Sequence, residues 1–304
     1  MTTKTKGYIC GIIAAITYGM NPLGALSLYN EGINTDTVIF YRYGLAAVLL
    51  AVIMLVQRTS LRVTLKELSI LAVLGVLFAI SSLSLFGSFH YMDAGVASTI
   101  LFVYPVMVAI MMSVFFKERL TLITMFSILL ALSGIGLLSQ GADGGTLSAI
   151  GVLLVMISSL MYAIYMVIVN QSPLRMPAVK MTFYVMLFSI LTVVLHSFTG
   201  EGNQLQLLTT VSMWGWALML ALVPTVISLV LMVVAIKAIG STPTAIMGAL
   251  EPLTAVVIGV TIFNEAFTLR LSIGIVLILM AVMLIITGKS FKVPRLLIRQ
   301  KSAH

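Results

Sequence analysis

Two ionisable residues of this chain stand deep inside apolar runs. Glu251 lies about ten residues into the run that begins near residue 242, roughly 15 Å from its start at about 1.5 Å per residue. Arg42 lies about seven residues into another run, roughly 11 Å from its start. A carboxylate at membrane depth can take up and release a proton. A guanidinium there can grip a carboxylate or phosphate in its planar fork. The two can also pair, because a lone charge in hydrocarbon costs roughly 3 kcal/mol on insertion scales. A fixed ion pair, or a protonated Glu251 capping a backbone group, is the purely structural alternative.

Each half of the chain surrounds such a position with the same device. Tyr104 directly precedes Pro105, as Glu251 directly precedes Pro252. A proline inside a helix removes a backbone donor and clashes with the preceding turn. It deprives the carbonyls of Leu101 and Gly248 of their usual partners. Such breaks near the midplane mark binding sites or hinges in secondary transporters, or else a plain packing bend. Asn21-Pro22 and Pro224 are weaker versions of it. Tyr18, Tyr162, Tyr165, Ser81, Ser84 and Ser228 fall at interior depths, where a few polar groups in an apolar wall suit a small amphipathic molecule. Serines at such depths also simply let helices approach. The candidate substrate-binding or coupling residues are therefore Glu251, Arg42, Tyr104, Tyr18, Asn21, Tyr162, Tyr165 and Ser84, with Pro105 and Pro252 as hinges. His90 and Lys237, at matching positions, read as interfacial.

The elements that position these residues are membrane helices. The chain is 61% hydrophobic and 9% charged, against about 25% charged in a soluble domain. Ten apolar runs, near 7–28, 34–56, 68–89, 95–116, 121–139, 148–169, 179–197, 212–236, 242–263 and 267–288, have the length of roughly 20 residues that a helix needs to cross the hydrocarbon core. Lys4 and Lys6 before the first run resemble the start of a signal peptide, but the run continues past a signal-sized core and lacks a small-residue cleavage site, so it reads as the first span.

A single offset of 147 residues relates Pro105 to Pro252, Phe116 to Phe263 and Glu118 to Glu265, so the chain contains itself twice. The expected units are a first repeat at 1–139, a linker at 140–147, a second repeat at 148–288 and a basic tail at 289–304. Five spans per half is an odd number, which turns the second half over: two inverted five-helix repeats. The expected fold is an all-α membrane protein.

Lys and Arg gather in alternate caps, from Lys4, Lys6, Arg58, Arg62 and Lys66 through Lys117, Arg119, Arg175, Lys180 and Lys237 to the tail. The opposite caps hold Arg270 alone among basic residues, and carry Glu31, Asp36, Asp93, Asp143, Glu201 and Glu265. By the positive-inside rule both termini are cytoplasmic, and short loops favour a bacterial inner membrane. The net charge of +8 therefore faces lipid, not nucleic acid. The single Cys10 permits no internal disulfide.

The segment from Ala94 to Thr99 followed by Tyr104-Pro105 and the Phe116–Leu120 run, and the segment from Ser241 to Ala245 followed by Glu251-Pro252 and Asn264-Glu265, are similar to the signature of the drug/metabolite transporter superfamily, specifically the EamA-type ten-span permeases. Asn264 departs from the pattern, standing where the first half has Lys117. The resemblance covers essentially the whole chain. It implies movement of a metabolite or drug by alternating access, often outward, with the last span of each half outside the cavity.

The leading expectation is a secondary transporter, an exporter of a small metabolite such as an amino acid or amphipathic compound, with protons as a candidate coupling ion. A non-transporting scaffold or receptor subunit is the alternative. A membrane enzyme ranks below it, because no His-Glu-x-x-His run, Gly-x-Ser-x-Gly elbow or paired aspartates are present. No cofactor or metal is expected. No phosphate-binding loop is present for a self-contained pump. A homodimer is compatible with this architecture.

Overall fold

The computed structural model describes residues 2–92, 94–117, 121–139, 148–200, 202, 204–262 and 269–288. The linker 140–147, the tail 289–304, and Asp93, Glu118, Glu201, Asn264 and Glu265 lie outside them. The described residues are helical and contain no strand. Six helical stretches (3–30, 35–56, 65–88, 149–171, 178–197 and 211–239) are long and apolar enough to cross a membrane.

The first stretch is α1 (Thr3–Tyr18) and α2 (Asn21–Asn30), broken where Pro22 enters the first turn of α2. Then come α3 (Thr35–Val56) and α4 (Leu65–Ser88). The chain continues with α5 (Ala94–Leu101), α6 (Tyr104–Phe116) and α7 (Leu122–Ser139). The second half begins with α8 (Ala149–Gln171) and α9 (Ala178–Ser197). Next are α10 (Val211–Ala221), a π-helical turn (Leu222–Ile227) and α11 (Ser228–Ile239). The last are α12 (Ser241–Met247), α13 (Leu250–Ile262) and α14 (Leu269–Gly288). Local chemistry sets these limits. The Asn34 side chain accepts from the Thr37 amide to start α3, and Thr64 with Glu67 forms a reciprocal capping box on α4. Gly240, at φ +92°, lets α12 follow α11 after one residue.

Prolines account for the internal breaks, and three of the carbonyls they strip find another donor. The carbonyl of Leu101, freed by Pro105, accepts from Ser159 Oγ at 2.9 Å. That of Gly248, freed by Pro252, accepts from the Glu251 amide at 2.8 Å. That of Leu220, freed by Pro224, accepts from Thr225 Oγ1 at 2.7 Å. A buried carbonyl without a donor would cost about 1–3 kcal/mol, so these replacements make the breaks affordable.

Helix packing follows the sequence duplication. α1 packs on α11 and α4 on α8, which is one pairing seen from either repeat; α3 packs on α9 and α7 on α14, each helix against its own counterpart. The contacts of α1, α3 and α4 with these partners are antiparallel. On α3 and α9, Asp36 meets His196 at one end, while Lys180 Nζ donates to the Arg62 carbonyl at the other. On α4 and α8, Ser81 and Ser158 each donate to the other's carbonyl, at 3.1 and 2.7 Å. Counterparts that run opposite ways are what an inverted repeat produces. One end of the bundle thus gathers Arg62, Lys180 and Lys237, and is called the basic end below. The other gathers Glu31 and Asp36 and is the acidic end. Apolar side chains such as Leu55, Val114, Phe115, Leu129 and Leu195 are exposed on the bundle surface, as lipid contact requires.

Candidate functional site

The two principal breaks converge. α6 presents Tyr104 at its first residue and α13 presents Glu251 at its second. These repeat-related side chains meet: the Tyr104 hydroxyl donates to Glu251 Oε1 at 3.4 Å. Both are buried. Tyr104 comes so close to the α12–α13 break that a Cβ on Gly248 would overlap its hydroxyl.

Tyrosines surround this contact. The Tyr162 ring stands edge-on to Tyr104 at 4.9 Å and stacks with Tyr18 at 5.9 Å and Tyr165 at 6.2 Å. The Tyr162 hydroxyl donates to Met232 Sδ; the Tyr165 hydroxyl is buried without a partner.

Two small cavities flank Glu251. One is lined by Gly11, Ala14, Tyr104, Tyr162, Ser228 and Thr244 among others, and lies toward the basic end. The other is lined by Tyr18, Asn21, Leu85, Phe89 and Ser98 among others, and lies toward the acidic end. Their volumes are about 10 and 20 Å³, each room for about one water. Glu251 is the residue common to both linings. The conformation is therefore closed on both sides of this carboxylate. Asn21 is buried and both of its amide atoms lack a protein partner.

Arg42 is fully buried, but it does not pair with Glu251. The ion pair found among the described residues is His196–Asp36. Arg42 Nε donates to Thr225 Oγ1 at 2.6 Å instead. Its guanidinium lies 5.8 Å from the Tyr18 ring centre, 5.4 Å from Tyr43 and 5.3 Å from Phe86. Tyr18 thus touches Arg42 and lines a cavity with Glu251, standing between the two charges. Ser84 is also placed away from Glu251, in a cleft at the acidic end with Asp36, His90 and His196. His90 bonds Thr35 Oγ1 and stacks on Tyr29; Lys237 Nζ donates to the carbonyls of Leu174 and Met176. Both stay at helix ends, as expected.

Sequence reasoning missed Ser98, Thr225 and Thr244, and named Gly248 only for its freed carbonyl. Thr225 had a signal, since it adjoins Pro224. Gly248 had another, as the residue whose carbonyl loses its usual donor at Pro252.

An all-helical bundle of antiparallel repeats, with apolar flanks and a closed polar centre at paired helix breaks, defines a multi-pass membrane transporter. The chain belongs to the EamA-like transporter family, whose model matches it twice, over residues 5–140 and 149–287. This family lies within the drug/metabolite transporter superfamily. The chain is 28% identical to an uncharacterized transporter of Archaeoglobus fulgidus, covering 89% of this chain and 94% of that one. It is 25% identical to the uncharacterized transporter YcbK of Bacillus subtilis, covering 94% and 93% respectively. A solved crystal structure superposes with a TM-score of 0.78 at 16% identity, over 92% of this chain and 96% of that one, and shares its fold. These relationships place the protein among transporters and not among enzymes.

Proposed function

We propose that the protein is a secondary exporter of a small metabolite, such as an amino acid or other amphipathic compound, working by alternating access in the cell (inner) membrane. The observation that carries this reading is the position of Glu251, which adjoins both closed cavities at the meeting point of two helix breaks. Opening either half of the bundle would join one cavity to one side of the membrane and leave the other sealed. Discontinuous helices crossing near the midplane supply the flexibility for this, because their broken turns hold few backbone bonds. Protons are the proposed coupling ion, carried on Glu251. Pro105 and Pro252 are the proposed hinges, and Tyr18, Tyr104, Tyr162, Tyr165 and Asn21 the walls of the path.

The proposed topology has ten spans, as two repeats at 1–139 and 148–288, with both termini cytoplasmic. Reporter fusions at Ser302 and Gly202 are expected on opposite sides of the membrane. A C-terminus outside the cell would overturn it and reverse the direction assigned to each cavity.

Export is tested by untargeted comparison of the metabolites that accumulate outside cells with and without the protein. At least one small organic compound should be enriched outside the expressing cells, and the Glu251→Gln variant should remove that enrichment. Identical external profiles, with the protein folded in the membrane, would refute export.

A further inference from the structure

Arg42 is a buried charge with little compensation among the described residues. It is fully buried, with no carboxylate of the described residues within ion-pairing distance. Its Nη1 and Nη2 have no hydrogen-bond partner. Three aromatic rings lie within 5.8 Å of it. They stabilise the positive charge, but they leave the N–H donors of the fork unfilled. Buried charges are ordinarily paired and hydrogen-bonded.

The side chain is nonetheless held in place. Nε is fixed by Thr225 Oγ1, and Thr225 is itself anchored on the Leu220 carbonyl inside the π-helical turn. π-helical turns recur at functional sites. One edge of the guanidinium is thereby immobilised, while the two terminal nitrogens stay free.

A second unpartnered group stands across Tyr18. Asn21 has neither amide atom satisfied and lines the cavity toward the acidic end with Glu251 and Ser98. Tyr18 is the partition between this cavity and Arg42. The walls otherwise are apolar or aromatic, including Leu85, Phe89 and Phe86.

We propose that Arg42 is the anion-binding residue of the transport path, taking the carboxylate of an amphipathic organic acid through Nη1 and Nη2 when the acidic half opens and Tyr18 moves aside. Asn21 then meets a neutral polar group on the same molecule, and its apolar body lies against the rings. The proposal rests on the transport reading of the same site and narrows its substrate class. A carboxylate matches the fork bidentately, which a single point charge on the protein could not do.

The test uses the full-length purified protein and measures its thermal midpoint with added ligand, since a molecule that binds only the folded state raises that midpoint. The probes are benzoate, phenylacetate and hexanoate, each against its neutral amide, with inorganic phosphate as a further arm. At least one carboxylate should raise the midpoint in a saturable way, and its amide should not. Arg42→Gln should abolish the shift. Arg42→Lys keeps the charge but not the fork, and should weaken binding about tenfold, the equivalent of roughly 1.4 kcal/mol; it serves as the readout if Arg42→Gln does not fold. No carboxylate shift, an equal shift by amides, a shift by phosphate alone, or a shift unchanged in Arg42→Lys would each overturn the anion site. Transport in liposomes separates the two readings. Arg42-dependent carboxylate binding without any transport keeps the anion site and removes the transporter reading. Transport that Arg42→Lys leaves unaffected keeps the transporter and removes the anion site.

Discussion

Glu251→Gln is expected to reduce net export against a gradient to the background of protein-free membranes, while exchange of substrate across the membrane persists. Gln retains the size of Glu and an oxygen that can accept from Tyr104, so the contact at 3.4 Å can survive. What it loses is the ability to bind and release a proton. If the carboxylate carries the coupling proton, uphill movement stops, and so does the dependence of transport on an imposed pH gradient. Tyr104→Phe is the companion measurement. It removes the hydrogen bond, leaves Glu251 ionisable and should retain coupled transport. A purely structural Glu251 would behave differently, lowering the yield of folded protein while leaving transport per folded molecule unchanged. Normal yield together with normal pH-driven transport in Glu251→Gln would move the coupling site elsewhere.

Much of this arrangement was legible in the sequence, and for a physical reason. A proline break and a buried charge are one-dimensional signals: each is costly wherever it sits in a membrane helix, so its presence marks depth. The recurrence of Tyr104-Pro105 as Glu251-Pro252 therefore located the centre of the bundle, and the structure brings those two residues into contact. Azimuth is a different quantity. Hydrophobicity around a membrane helix is nearly uniform, because lipid and protein interior are both apolar, so sequence gives little sign of which way a residue faces. That is why Ser84 was grouped with the central residues although it lies in the cleft beside His90 and His196, while Ser98 went unmarked although it lines a cavity with Glu251. That Arg42 and Glu251, which could have paired, stay apart has the same origin. Depth alone made them neighbours, but Tyr18 fills the space between, and Thr225 takes the Arg42 Nε–H. The π-helical turn that presents Thr225 was foreshadowed by Pro224, but a proline does not say whether a helix will kink, unwind or widen.

The second large effect is expected at Gly248. A methyl group there would overlap the Tyr104 hydroxyl and lie 2.9 Å from both Tyr104 Cζ and the Ala245 carbonyl oxygen. Tyr104 cannot easily yield, because it is buried between Tyr162 at 4.9 Å and Phe102 at 5.6 Å. Overpacking of this kind costs about 1–3 kcal/mol. The collision with Tyr104 exists only while the two helix breaks are together, so Gly248→Ala should disfavour the closed conformation more than an open one. The measurable result is exposure of the path. With Cys10 replaced by Ala, a Ser98→Cys reporter should react faster with a water-soluble maleimide in the Gly248→Ala background than in its parent. A shift of about 1.4 kcal/mol toward an open state corresponds to a tenfold rise in rate when opening limits access. Adding Tyr104→Phe removes the hydroxyl that the methyl meets, so the combined variant should return toward the parent rate, with an interaction energy of about 1 kcal/mol or more between the two positions. Strict additivity would mean that Tyr104 and Gly248 do not meet in the membrane. An unchanged Ser98→Cys rate in Gly248→Ala, with folded yield preserved, would mean that their contact does not hold the path shut.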